Sequence, residues 1–170
     1  SYEEGIRPAF YLDLNSILFT SAATGIKSGT VGALSPLTDY VGTEWKLTLR
    51  DTARSGFTAE LLEPSVSPGG TITVTYSGAK LGEGEYVSAL LVDRDGIVQG
   101  YGHVAFNTKE GTGTLSIPDD IAYGRYTLYV FSEQCNGDNK TDYASDFQEF
   151  SLDVVELQQG TTLPASFTAT

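Results

Sequence analysis

Ser67-Pro68-Gly69-Gly70-Thr71-Ile72-Thr73-Val74-Thr75-Tyr76 is a turn followed by an alternating strand, and Tyr123-Gly124-Arg125-Tyr126-Thr127-Leu128-Tyr129-Val130 takes the same form later in the chain. In the first, Ile72, Val74 and Tyr76 share one face while Thr71, Thr73 and Thr75 share the other, an alternation that a strand produces and a helix does not. The threonines are β-branched side chains suited to a solvated sheet surface. In the second, Tyr126, Leu128 and Val130 share a face. Each segment therefore owns one apolar face to bury, and the two are expected to meet across a common core.

Working outward, strands recur from Glu44 to Glu156 at the spacing expected of a sandwich. Trp45-Lys46-Leu47-Thr48-Leu49-Arg50 alternates strictly, which predicts Trp45, Leu47 and Leu49 inward and Lys46, Thr48 and Arg50 in water. Phe57 to Leu62 extends this edge until Pro64 and Pro68, which lack the N–H a ladder needs. Tyr86 to Val92 is more continuously apolar and leads through Asp93-Arg94-Asp95-Gly96 into Ile97 to Phe106. Asp95-Gly96 predicts a hairpin with positive φ at both central residues. Gly113 to Ile117 is a short strand with Leu115 and Ile117 inward, closed by Pro118-Asp119-Asp120. Phe150, Leu152 and Val154 form the inward face of a last strand, with Ser151 and Asp153 outward. Composition agrees: 19 glycines, 10 tyrosines and 8 phenylalanines with only 19% charged residues suit strands and turns better than long helices. A chain of 170 residues can bury one sizeable core, or one core and a fragment of another.

The types and separation of these segments resemble an all-β, immunoglobulin-like antiparallel β-sandwich of about seven strands with Greek-key connections, whose second and sixth strands face each other. Val74 and Leu128 stand where such a domain would carry its two bridging cysteines, and Gly124-Arg125-Tyr126 resembles the tyrosine-corner pattern. Cys135 is the single cysteine, so no intrachain disulfide can form. A disulfide-free sandwich is similar to those of bacterial surface proteins, whereas a eukaryotic secreted domain more often keeps its bridge.

Residues 1–43 do not continue the spacing. Gly5-Ile6-Arg7-Pro8-Ala9-Phe10 is similar to the closing strand of formylglycine-generating-enzyme-like, C-type-lectin-like domains of large surface proteins of gut bacteria. That similarity covers residues 5–23, and none of that family's catalytic or metal residues can be placed on it. Residues 1–43 are accordingly expected to end a preceding domain, with extra N-terminal strands that must pair with the sandwich or with another copy of the chain. Residues 44–157 are the sandwich, and the threonine-rich residues 158–170 read as a linker or tail. With no methionine and a start inside a patterned segment, the chain reads as an excerpt of a longer multidomain protein.

The net charge of −12, from 22 acidic and 10 basic residues, repels a phosphate backbone and argues against nucleic acid as a partner. No apolar run reaches the roughly 18 residues a membrane span needs. No nucleophile elbow, paired-histidine zinc motif or phosphate loop is present. His103, the one histidine, reads as a surface or pocket-edge side chain, and Asp93, Asp95, Asp119 and Asp120 read as turn formers. Asp138, Asn139, Asp142 and Asp146, in the segment Glu133 to Asp146, concentrate hard oxygen ligands of the kind calcium takes, but their spacing is not that of an EF-hand loop. Asn139-Lys140-Thr141 is also a glycosylation sequon.

Surface sandwiches of Gram-positive bacteria can carry an isopeptide cross-link from lysine to asparagine or aspartate, and Lys46 with Asp153 is the pair whose strand positions suggest one. The alternation places both in water, where the neutral forms such chemistry needs are disfavoured. Tyr101, Tyr129 and Phe131 are candidates for exposed aromatics on which a sugar ring could stack, unless they cover the sheet. No catalytic, cofactor or metal residue is assigned. The expectation is a non-catalytic, uncharacterised module of a secreted or cell-wall-attached bacterial protein that spaces or presents its neighbouring domains. The alternative is an adhesion or carbohydrate-binding module for a glycan or protein ligand.

Overall fold

A computed structural model describes residues 11–156 other than 26, 28, 29, 38 and 39; the Gly5-to-Phe10 motif and the tail from residue 158 lie outside these. Among the described residues twelve strands form: β1 (Ile17–Ala22), β2 (Leu34–Pro36), β3 (Trp45–Arg50), β4 (Thr58–Leu61), β5 (Ser65–Val66), β6 (Thr71–Ser77), β7 (Glu85–Val92), β8 (Val98–Phe106), β9 (Gly111–Ser116), β10 (Gly124–Gln134), β11 (Asp142–Ala144) and β12 (Gln148–Val154). They make two sheets. The smaller has the order β4-β6-β9, and the larger has nine strands in the order β1-β3-β11-β10-β7-β8-β2, with β12 on β10 and β5 on β12. The architecture is all-β. Among the described residues no helix is long and apolar enough to cross a membrane.

The two segments that decide the fold behave as their alternation predicts. Ile72, Val74 and Tyr76 are buried, as are Tyr126, Leu128 and Val130, and all six belong to one apolar core with Leu115, Ile117, Leu152 and Val154. Phe150 is only partly buried at its margin. Pro68 and Gly69 occupy the centre of a tight turn in which Gly69 takes φ +71° and the Gly70 N–H donates to the Ser67 carbonyl at 2.9 Å. The Tyr126 hydroxyl donates to the Ala122 carbonyl at 2.8 Å, so the side chain pins the turn that precedes its own strand.

The β7–β8 hairpin forms with Val92 opposite Val98, but its turn departs from the expected type. Of the loop residues only Gly96 has positive φ, at +81°. Asp93 accepts from the N–H groups of Asp95 and Ile97 through one carboxylate oxygen, each at 2.9 Å. That anchor organises a longer turn with a single left-handed residue at its end.

Residues 11–13 form no strand, and Leu14–Ser16 is a short 3-10 turn. β1 and β2 are then incorporated into the larger sheet, β1 antiparallel to β3 and β2 antiparallel to β8. At the β2–β8 contact, Gly102 is required because a Cβ there would collide with the Ala33 carbonyl oxygen. The curl of the larger sheet returns β1 over its own face. Phe19 of β1 meets Phe131 of β10 edge-on at 5.6 Å between ring centres, although β3 and β11 separate these strands in the sheet order. A second core results, containing Leu90, Tyr101, Phe131 and Ala144.

This extra layer inverts the reading of β3. Lys46 and Thr48 are buried, Leu47 and Leu49 are half-buried, and Trp45 is 53% exposed. The alternation is intact; the face that turns inward is the one carrying Lys46 and Thr48, because it lies over buried carboxylates rather than over an apolar core.

A second polar anchor ties this layer to β7. The Arg54 guanidinium, in the 3-10 turn Thr52–Arg54, donates to both carboxylate oxygens of Glu85 at 2.7 and 2.8 Å and to Ser132 Oγ at 3.2 Å. Removing one partner of such a buried pair leaves an uncompensated charge. Arg54→Met should therefore cost about 3–5 kcal/mol of unfolding free energy in urea titrations, and adding Glu85→Leu should recover much of that loss. Tyr126→Phe, which deletes one hydrogen bond without changing shape, should cost about 1 kcal/mol in the same assay.

Candidate functional site

The upper half of β10 is buried on both faces. Leu128 and Val130 point into the first core, while Phe131 and Glu133 lie beneath the β1–β3–β11 layer, where Phe131, Ser132 and Glu133 are all fully buried. Lys27, in the connection between β1 and β2, reaches this point. Its ammonium donates to Glu133 Oε1, to Asp142 Oδ2 at 2.8 Å and to Thr48 Oγ1 at 2.7 Å. Asp142 is placed by β11, which pairs antiparallel with β10 and parallel with β3. Lys46 from β3 meets the same Oδ2 at 2.9 Å, and the backbone N–H of Asn136 donates to Oδ1 at 2.8 Å. The second oxygen of Glu133 accepts from the Tyr101 hydroxyl at 2.6 Å.

Aromatic rings close the site. The Lys27 ammonium lies 4.5 Å from the centre of the Phe19 ring and 5.8 Å from that of Tyr101. Burial works against the charge on Lys27, but the Glu133 and Asp142 carboxylates outweigh it and raise the pKa of the ammonium. Burial likewise works against the Asp142 charge, and Lys27 with Lys46 and the Asn136 N–H pulls its pKa below the ordinary carboxylate range. Burial, helped by the Glu133 charge, pushes the Tyr101 hydroxyl and the Cys135 thiol well up, so both stay protonated.

His103 belongs to this interior and not to the surface. It is fully buried, stacked on Tyr86 at 4.0 Å between ring centres. Its Nε2 donates to the Lys27 carbonyl at 3.2 Å, which leaves Nδ1 to accept from the Ser88 hydroxyl at 3.0 Å. The histidine thus orients the backbone of the residue whose side chain enters the cluster.

The other expected site residues separate. Tyr101 and Phe131 are buried, and Tyr129 is half-buried against Phe147 at 5.0 Å, so none offers an open stacking platform. Asp153 pairs with Arg125 at 2.9 Å on the surface, and β10 and β11 stand between its strand and that of Lys46. Within the acidic segment, Asp138 accepts from the Gly25 N–H at 2.9 Å, Asp146 pairs with Arg50 at 2.7 Å and Asp142 is held by the two lysines. Glu133, Cys135 and Asp142 approach within ligand distance of one another, but the Lys27 ammonium already supplies the positive charge between the two carboxylates.

Beside the cluster, a cleft of about 230 Å³ opens to solvent between Phe19, Lys27, Leu37, Tyr40, Trp45 and Tyr101, among others. Trp45 and Tyr40 pack edge-on at its mouth, 4.7 Å between ring centres. Sequence patterning missed Lys27 altogether, since it sits in an irregular connection. The available signal was Glu133, which continues the Tyr129–Phe131 face of a strand and so had to find a cation under whatever covered that face. The chain matches no protein family, no curated protein and no solved structure.

The buried imidazole sets a pH dependence. Burial pushes His103 below its ordinary value, although the Lys27 carbonyl and the Glu133 charge pull the other way. The unfolded chain then binds a proton at a pH where the folded chain does not. Stability should fall as pH drops through about 6.5 and level off below the folded value. Urea midpoints taken from about pH 7.5 to about pH 5.5 should fall for the wild type and fall distinctly less for His103→Gln.

Proposed function

We propose that this chain is an immunoglobulin-like, non-catalytic module of a multidomain bacterial surface or secreted protein, and that it spaces or presents its neighbours outside the cell. The Greek-key reading is supported by β6 between β4 and β9 in one sheet, and by β8-β7-β10-β12 in the other. The parallel pairing of β5 with β12 and the Tyr126 hydroxyl bond support it too. The single observation that carries the functional reading is that the chemically capable groups, Lys27, Glu133, Asp142 and His103, are buried and bonded to one another. A catalyst needs such groups converging on a space a substrate can enter. Here they face each other. The net charge of −12 and the single cysteine, which leaves no intrachain disulfide, suit a bacterial surface part better than a eukaryotic secreted domain.

The second reading, a carbohydrate-binding or adhesive module, is favoured by the cleft with Trp45 and Tyr40 at its mouth. An exposed aromatic face beside an apolar floor can stack a sugar ring, and Trp45 is 53% exposed. A glycan array probed with the labelled protein separates the two. Background signal throughout is the expected outcome; a signal above background that disappears in Trp45→Ala would replace the spacer reading with the binding one.

A further inference from the structure

We propose that Lys27 and Asp142 become covalently joined by an amide bond between Lys27 Nζ and Asp142 Cγ, formed by the chain itself with Glu133 as the proton carrier. The starting point is the contact of the Lys27 ammonium with Asp142 Oδ2 at 2.8 Å, in a site where both side chains are less than a twentieth exposed. Holding two reactants in contact converts an improbable encounter into an intramolecular reaction. The proton that must leave Nζ has Oδ2 as its acceptor 2.8 Å away, so one short transfer inside the enclosure gives a neutral amine and a neutral acid.

The remaining steps balance without any co-reactant. The Nζ lone pair attacks Cγ. Glu133, which touches Nζ through Oε1, takes the second proton and delivers it to the departing hydroxyl. A C–N bond forms, a C–O bond breaks, one water leaves, and Glu133 ends as the carboxylate it began as. No oxidation or reduction occurs. The cleft that reaches Lys27 and Tyr101 gives the water its way out.

Asp142, and not Glu133, is the electrophile because of what else it meets. The Lys46 ammonium at 2.9 Å and the Asn136 N–H at 2.8 Å stand against its two oxygens and stabilise the oxyanion that develops during attack. Among the described residues Glu133 receives the neutral Tyr101 hydroxyl besides Lys27, which suits a group that must take up and return a proton. The product leaves one ammonium, Lys46, and one carboxylate, Glu133, so the interior stays neutral. This pairing replaces the Lys46–Asp153 pair that strand positions suggest.

The test is the intact mass of the full chain under denaturing, reducing conditions, followed by proteolysis and fragmentation. The expected wild-type mass is short of the sequence mass by one water, with a branched peptide joining the Lys27 and Asp142 segments. Lys27→Arg and Glu133→Gln should both run at full mass. A folded wild-type chain at full sequence mass overturns the proposal regardless of how the variants fold. So does a deficit of one water that maps to a succinimide at Asp95-Gly96, and a linked Glu133→Gln chain overturns the role given to Glu133.

Discussion

The negative charge of Glu133 in the doubly buried half of β10 is the constraint on which the rest of the larger sheet depends. A carboxylate in that position is tolerable only when a cation and hydrogen-bond donors reach it, and here they come from two places. Lys27 arrives from the connection after β1, Tyr101 from β8, and Asp142 with Lys46 completes the neutral group. The cover over β10 is therefore an electrostatic closure as well as an apolar one. This explains why β3 turns Lys46 and Thr48 inward and leaves Trp45 half outside. It also explains why His103 is spent on the Lys27 carbonyl, where it holds the incoming backbone in place.

Such a cluster is a poor source of stability by comparison with an apolar core of the same volume, because desolvating the ions offsets much of their attraction. Its value lies in selectivity. Only one arrangement of the N-terminal segment brings a cation to Glu133, and a slipped register in β1 or β3 would strand charge in the interior. The first core, between Val74 and Leu128 and their neighbours, needs no such device. The molecule thus has two interiors governed by different rules, one by apolar packing and one by charge neutralisation.

That division also decides what was legible in the sequence. Ile72, Val74, Tyr76, Tyr126, Leu128 and Val130 alternate against water, so their period alone predicts both strand and face. Gly124-Arg125-Tyr126 resembles a tyrosine corner in sequence, and the structure supplies the hydroxyl's partner, the Ala122 carbonyl. Patterning failed where strands are covered on both sides. In β3 the period was right and the inward face wrong, since alternation cannot say which of two faces meets a buried carboxylate. The acidic segment around Asp142 read as a solvated loop because its partners, Lys27 and Lys46, are remote in sequence. Tyr101 and Phe131 read either as exposed or as covering the sheet, because nothing in their own strands records the layer that residues 17–22 lay over them. Long-range polar contacts leave no local period.

Lys27 lies 106 residues before Glu133 and 115 before Asp142. During synthesis, then, the lysine leaves the ribosome first and waits while nearly the whole sandwich is made. The strands of the first core can begin to associate in that interval, whereas β1 has no carboxylate to dock on until β10 and β11 have emerged. Contacts this distant in sequence close late and slowly. The order of assembly is thereby written into the chain: the sandwich first, the N-terminal layer last, as a clasp fastened over a structure already built.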